Sequence, residues 1–274
     1  MLNIPEKKIV ISGASGFIGR QLIAQLYGNF ELHLLSHSRQ IDQQNILNKF
    51  FQVHDINKKI DLSIFKNATF IHLGWPYLEN FFDLRHLTEA LPQQIIFFEK
   101  VIKAGVNKIL ISGTCLEYGL QEGALDISLK TEPVLPYSIA KNALHDYLRA
   151  RSNIEKFNLI WTRLFYVYGD GQKANSLIPL LQKAIDRGDK SFPMSEGNQE
   201  RDFVHISCVA EQLMKLIKSN NNGTFNICSG QPQSVTDFII DYLEITNQSI
   251  SLEKGRFEIP SYEPKNFWGV PNVA

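Results

Sequence analysis

Charge of one sign is what this chain lacks most clearly. Its 28 Lys and Arg balance 28 Asp and Glu, for a formal net charge of +0. Such a balance offers no electrostatic footprint for a nucleic-acid polymer or an anionic membrane surface. Cysteine is scarce: Cys115, Cys208 and Cys228 stand far apart with no Cys-x-x-Cys pair, so neither a disulfide framework nor a thiolate zinc site is expected. The seven His form no His-Glu-x-x-His or other paired ligand spacing, and no metal is expected. No apolar run approaches membrane-spanning length. The N-terminus reaches Glu6-Lys7-Lys8 before an apolar segment can form, which does not read as a secretory leader. Internal repeats are missing as well, and so are low-complexity tracts beyond the short Ser219–Gly223 turn.

Apolar and aromatic residues are abundant. With 44% hydrophobic residues and 18 Phe, the composition excludes a disordered chain. A length of 274 residues suits one large domain or two closely joined ones. The expectation is a globular cytoplasmic protein with no membrane partner, whose chemistry composition leaves open.

Through the first 165 residues, short β-rich runs alternate with helical patterns. Strands are expected at Lys8–Ser12, Phe30–Leu35, Phe50–His54, Thr69–Leu73, Lys108–Ser112 and Leu159–Phe165, with helices at Gly16–Tyr27, Leu87–Ala104 and Tyr137–Arg151. Several strands are apolar throughout, as in a parallel sheet covered on both faces. This alternation predicts an α/β fold, a Rossmann-type doubly wound parallel sheet. Beyond Phe165 the rhythm loosens, with a helix near Ile178–Arg187, a strand at Phe203–Ile206, a helix to Lys218, a strand at Thr224–Cys228 and a tail, Gly255–Ala274, that reads mostly as loop. A small C-terminal substrate-binding cap is therefore expected. Residues 1–165 and 203–230 form the dinucleotide-binding domain in this reading, and 166–202 and 231–274 the cap.

Ser12-Gly13-Ala14-Ser15-Gly16-Phe17-Ile18-Gly19 follows the first strand and opens the first helix. Glycine there allows a tight turn and lets backbone approach a pyrophosphate, while the helix start offers unpaired N–H groups. The position points to a dinucleotide site. A P-loop is excluded because Arg20-Gln21, not Lys-Ser/Thr, follows Gly19; a nucleophile elbow is excluded because Phe17, not Gly, stands two places after Ser15. A site for NAD usually has an acid after the second strand. Here that end reads Leu35-Ser36-His37-Ser38-Arg39, so Arg39 with the hydroxyls of Ser36 and Ser38 is expected to take the 2′-phosphate of NADP(H). The alternative is a solvated Arg39 and NAD. Asp55, followed by Ile56, is an adenine contact or a helix N-cap.

Tyr137 and Lys141 share a helical face at i and i+4. An ammonium beside a phenol stabilises phenolate, which suits an acid/base catalyst. Tyr-x-x-x-Lys arises by chance in a chain this long, so context carries the reading: Thr114 stands just past the fifth strand, at the carboxyl edge where a parallel sheet binds ligands.

These segments together resemble the extended short-chain dehydrogenase/reductases, within them the enzymes that modify nucleotide sugars. The resemblance rests on Gly13-x-x-Gly16-x-x-Gly19, Thr114 before Tyr118-Gly119, Tyr137-x-x-x-Lys141, Arg163 to Gly169, Arg201 to Ile206, and Phe225 to Gly230. It implies that Tyr137 is the general acid/base, that Lys141 orients the nicotinamide ribose, and that Thr114 holds the substrate oxygen. It implies cofactor contacts at Gly13, Ser15, Gly16, Phe17, Ile18, Gly19, Ser36, Ser38, Arg39, Asp55, Ile56, Leu73 and Lys141. Dehydratases of the family place Asp-Glu after the catalytic Thr; Cys115-Leu116 here do not suit dehydration. The likeness is greatest to reductases of nucleotide-linked 4-keto-6-deoxyhexoses, with an NAD-retaining epimerase and a non-catalytic NADP-binding sensor as alternatives. Expected nucleotide-sugar contacts are Trp75, Tyr77, Thr114, Tyr137, Asn175 and Arg201. Arg201 is either a diphosphate clamp or the partner of Asp202 or another acid, and Trp75 and Tyr77 either line the pocket or belong to the core. Glu117 is a second acid, a salt bridge or a helix cap. The apolar Ile95-Ile96-Phe97-Phe98 stretch marks either core packing or the helix pair of a homodimer.

Overall fold

The computed structural model describes residues 7–36, 51–55 and 60–273. From the N-terminus run β1 (Lys8–Ser12), α1 (Phe17–Leu26), β2 (Glu31–Ser36), β3 (Phe51–Asp55), β4 (Thr69–His72), α2 (Leu91–Lys103), β5 (Lys108–Thr114), β6 (Gly123–Leu125), α3 (Pro136–Glu155), β7 (Asn158–Leu164) and β8 (Tyr166–Tyr168). There follow α4 (Leu177–Asp186), β9 (Ser191–Pro193), β10 (Glu200–His205), α5 (Ile206–Lys218), β11 (Gly223–Ile227), β12 (Pro232–Ser234), α6 (Val235–Ile245), β13 (Ser251–Glu253) and β14 (Phe267–Gly269).

Seven strands form one parallel sheet in the order β11-β7-β5-β4-β1-β2-β3. The continuous apolar runs find their reason here: Ile9, Val10 and Ile11 of β1 are all buried, because both faces are covered. One face packs on α1 and α5 through Leu22, Leu26, Val209 and Leu213; the other packs on α2 and α3 through Phe98, Val101, Leu144 and Leu148. This is the doubly wound Rossmann arrangement, and its order reverses between β1 and β4. The loops after those two strands meet at the crevice where such sheets bind ligands. A Cβ on Gly13 would lie 2.7 Å from the Gly74 amide nitrogen.

Of three smaller sheets, β12-β10-β8 and β13-β9 border a third core of α4, α6 and β9 residues, among them Leu181, Phe192, Phe238 and Ile239, while β14-β6 packs through Phe267 and Leu125 on the core shared with α2 and α3. The strand expected at Phe203–Ile206 is β10, which pairs with β8 and β12 rather than with the main sheet. The long helix expected over 87–104 is split. Pro92 has no N–H to donate, and the chain enters α2 through a π-turn, His86–Ala90, closed by Leu91 N–H to His86 C=O.

Candidate active site

The glycine loop has the form its spacing predicts. Gly13 takes φ +72°, Gly16 N donates to Gly13 O at 3.0 Å, and a Cβ on Gly19 would lie 2.3 Å from Gly13 O. The first glycine makes the turn and the third lets α1 press on the loop. Gly16 and Ser15 are exposed, Phe17 and Ile18 half-buried. No side chain caps α1 and no acid stands in its first turn. Unpaired amides at the positive end of a helix, beside exposed glycine backbone, fit a pyrophosphate. Leu73, half-buried, anchors the facing loop through its N–H to Ser12 O at 3.0 Å. Ser36 and Asp55 are register partners at the ends of β2 and β3, on the same edge. Ser38, Arg39 and Ile56 lie outside the described residues.

Thr114, Tyr137 and Lys141 gather at the end of β5. Pro136 opens α3, and Tyr137 N donates to Phe81 O at 3.2 Å. Lys141, one turn on, is buried and donates from Nζ to Ser112 O of β5 at 2.7 Å. Burial pulls its ammonium down to about 7, against an opposing pull from the Glu117 carboxylate. Burial holds the Tyr137 phenol well above its ordinary value, with Glu117 and Cys115 adding to the effect. Three rings surround that phenol: Phe81 stacked at 4.8 Å, His86 at 5.3 Å and Trp75 edge-on at 6.2 Å.

Glu117 resolves as both salt bridge and cap. Its Oε1 accepts Thr114 N–H at 2.9 Å, both oxygens accept Trp161 Nε1 at 3.0 Å, and Oε2 accepts Arg163 Nε at 3.0 Å. Burial pushes this carboxyl upward while the Arg163 guanidinium opposes the shift; every partner is a donor, which suits a carboxylate. The Thr114 hydroxyl oxygen accepts from Leu116 N at 3.3 Å and keeps its own proton to donate.

The remaining expected substrate residues divide. Asn175, exposed, and Arg201, buried, line a cavity of about 610 Å³ between α4, β8, β10 and the segment 257–263. Arg201 is paired, but not with Asp202. Its Nη2 meets Glu263 Oε2 at 3.0 Å, and Nη1 donates to Glu200 O and Lys265 O at 2.8 Å each. Asp202 instead accepts the backbone N–H groups of Ser229, Gly230 and Gly269. Trp75 is buried against Lys141 and Tyr137 and does not line the cavity. Tyr77 donates to Glu89 at 2.6 Å and lies under Arg85. Phe82 and Tyr262, edge to face at 5.0 Å, tie the loop after β4 to the cavity wall. Sequence reasoning missed Phe81, His86 and Glu263; none stands in a motif, and only folding brings them to the site. Among the described residues no three His, Cys, Asp or Glu cluster as for a metal, and no helix is long and apolar enough to cross a membrane.

A family profile described as "NAD dependent epimerase/dehydratase family" matches residues 9–228. A dTDP-6-deoxy-L-talose 4-dehydrogenase (NAD(+)) from Aggregatibacter actinomycetemcomitans is 30% identical over 270 residues, 95% of this chain and 98% of that one. A GDP-6-deoxy-D-talose 4-dehydrogenase from the same organism is 29% identical over 255 residues, 90% and 83% of the two chains. The solved UDP-N-acetylglucosamine 4-epimerase of Methanobrevibacter ruminantium M1, in complex with UDP-N-acetylmuramic acid, superposes with a TM-score of 0.87 at 19% identity, over 98% of this chain and 90% of that one, a likeness of fold. Profile and relatives agree with the glycine crevice and the two-sided sheet: the chain belongs to the NAD dependent epimerase/dehydratase family, enzymes of the short-chain dehydrogenase/reductase type.

Proposed function

We propose that the chain is a nucleotide-sugar enzyme that reduces the C4 ketone of a nucleotide-linked 4-keto-6-deoxyhexose with NADPH. The observation that carries the reading is the buried Lys141, held by Ser112 O at 2.7 Å on the helical face of Tyr137. The two relatives named as 4-dehydrogenases of 6-deoxytaloses support the same carbon and sugar class. Gly13, Gly16 and Gly19 would hold the dinucleotide by its pyrophosphate, and the bound cofactor would supply the hydride that the carbonyl carbon takes. Thr114 and Tyr137 hydrogen-bond the carbonyl oxygen and align it. Tyr137, kept protonated by burial, donates its proton to that oxygen as negative charge develops. Lys141 stabilises the phenolate left behind and has two N–H groups beyond the one given to Ser112 for the cofactor ribose. Asn175 and Arg201 face the nucleotide in the cavity, which belongs to the cap in this reading.

The NADP preference rests on Ser36, Ser38 and Arg39; the relative named for NAD(+) favours the other dinucleotide. Titration with NADPH and NADH decides, and clear preference for NADH overturns NADP. Exposed Ile96 on α2 and Ile139 and Ile154 on α3 support pairing of those helices with a second copy, read by molecular mass in solution. Turnover is tested by NADPH oxidation against dTDP-, CDP- and GDP-linked 4-keto-6-deoxyhexoses. Tyr137→Phe should lower kcat by about 10²–10⁴-fold while NADPH affinity stays within a few-fold; a fully active variant overturns the role. Dinucleotide retained through purification with no net oxidation indicates an epimerase.

A further inference from the structure

Lys141 has a second partner besides Ser112. Its Nζ lies 4.2 Å from the centroid of the Trp75 indole, over the ring face. That indole is itself held. Its Nε1 donates to Nδ1 of His86 at 3.0 Å, and His86 Nε2 lies 3.0 Å from Asn80 O. A carbonyl can only accept, so the His86 proton sits on Nε2 and the lone pair faces the indole. Trp75, His86 and Lys141 are all buried, and His86 opens the π-turn that leads into α2. The loop between β4 and α2 therefore fixes a chain of contacts, from Asn80 O through His86 and Trp75 to Lys141.

We infer that Trp75, anchored by His86, is a positioning residue that holds the Lys141 ammonium in place and keeps it charged beside Tyr137. The inference rests on the hydride-transfer reading of Tyr137 and Lys141, and it moves Trp75 from a sugar contact to a support of the lysine. The physical case is one of compensation. A buried ammonium with a single carbonyl partner is short of interactions, and desolvation drives it toward the neutral form. The negative face of an indole is the strongest aromatic partner for a cation, and its effect grows where water is excluded. A leucine at this position would fill space with no such face. Of the other titratable groups near Lys141, the Glu117 carboxylate favours the ammonium, Tyr137 is held protonated, and His72 is pushed down to about 3 by burial and stays neutral.

The test reads Lys141 directly in the full chain. Nitrogen-15 NMR of the lysine Nζ groups across pH, with Lys141→Met identifying the resonance, gives its titration midpoint without a ligand. Trp75→Phe keeps a ring face and should leave the midpoint within about 0.3 pH unit, whereas Trp75→Leu should lower it by about one unit, a tenfold loss of proton affinity. His86→Leu removes the anchor and should lower the midpoint by less than Trp75→Leu does. If Trp75→Leu does not fold, Trp75→Met makes the same comparison. A midpoint in Trp75→Leu equal to the parent's, or an equal fall in Trp75→Phe, overturns the inference; no change in His86→Leu overturns the anchoring by His86. The underlying reading fails separately: it falls if Tyr137→Phe and Lys141→Met turn over the 4-keto-6-deoxy nucleotide sugars as the parent does, whatever the NMR shows.

Discussion

Two arginine–glutamate pairs of equal length, Arg163 with Glu117 and Arg201 with Glu263, sit in very different surroundings. Each spans 3.0 Å, yet the Glu117 side chain is 0% exposed while Glu263 keeps 15%. Glu117 accepts from Thr114 N, Trp161 Nε1 and Arg163 at once, and the Arg163 guanidinium lies 4.4 Å over the Tyr118 ring. Space for this cluster exists because residue 113 is glycine: a Cβ there would come within 2.3 Å of Trp161 Nε1 and 2.5 Å of Glu117 Oε1. Arg201 divides its donors between one carboxylate oxygen and two carbonyls at the wall of the cavity. The first pair is a closed structural unit that fixes the loop carrying Thr114. The second is open to exchange, because a phosphate oxygen offers Arg201 the same acceptor that Glu263 does.

Stability separates the two most sharply. Glu117→Ala leaves the Arg163 charge and the Trp161 and Thr114 N–H groups buried without a partner, and should cost about 3–5 kcal/mol. Glu263→Ala leaves Arg201 its two carbonyls and partial access to water, and should cost no more than about 2 kcal/mol. Denaturant titration of both variants decides, and equal losses would mean that the two pairs do not differ in their structural role.

Kinetics should separate them next. Arg201→Met is expected to raise KM for the nucleotide sugar by about 10–100-fold with kcat within a few-fold, as for loss of a charged hydrogen bond made equally in ground and transition states. Glu263→Gln frees Arg201 from its carboxylate and should lower KM by roughly 2- to 5-fold. Glu117→Gln keeps an acceptor for Thr114 N but disturbs the loop, so its effect should fall on kcat. A fall in kcat for Arg201→Met would place the second pair with the chemistry, and a rise in KM for Glu263→Gln would mean that Glu263 aids substrate binding instead of competing with it for Arg201.

How far these pairs could be read from the sequence follows from their spacing along the chain. The glycine loop, Thr114, and Tyr137 with Lys141 are legible because each stands where a strand turns into a helix or a helix begins, and local geometry dictates the residue type. The main sheet is legible because strands buried on both faces must be apolar throughout. The partner of Arg201 is not, because Glu263 stands 62 residues away in a proline-rich tail that reads as loop. That tail also supplies β14, whose three residues pair with β6. Trp75 could be read as pocket or core, but its place over Lys141 depends on His86 and on the π-turn that leads into α2.

The smallest expected difference concerns pH, and it sharpens the contrast at the level of charge. Lys141 titrates near 7 in the folded chain, below its ordinary 10.5, because burial disfavours the ammonium. Between those values the unfolded chain binds the extra proton, so stability rises with pH from about 7 to about 10.5, and the full cost of the buried charge persists below 7. Lys141→Met removes that cost, and its gain in Tm should be greatest at and below pH 7 and shrink toward pH 10. The Glu117 carboxylate lifts Lys141, so Glu117→Gln should lower the Lys141 midpoint further, by about 0.5 pH unit. In that background the Tm gained from Lys141→Met at low pH should be larger. Glu263 does not figure among the charges that act on Lys141, and Glu263→Gln should leave both the midpoint and the gain as they are in the parent. Equal responses in the two backgrounds would mean that the Glu117 pair does not act on Lys141 through its charge, and that its contribution to the site ends at the backbone of Thr114.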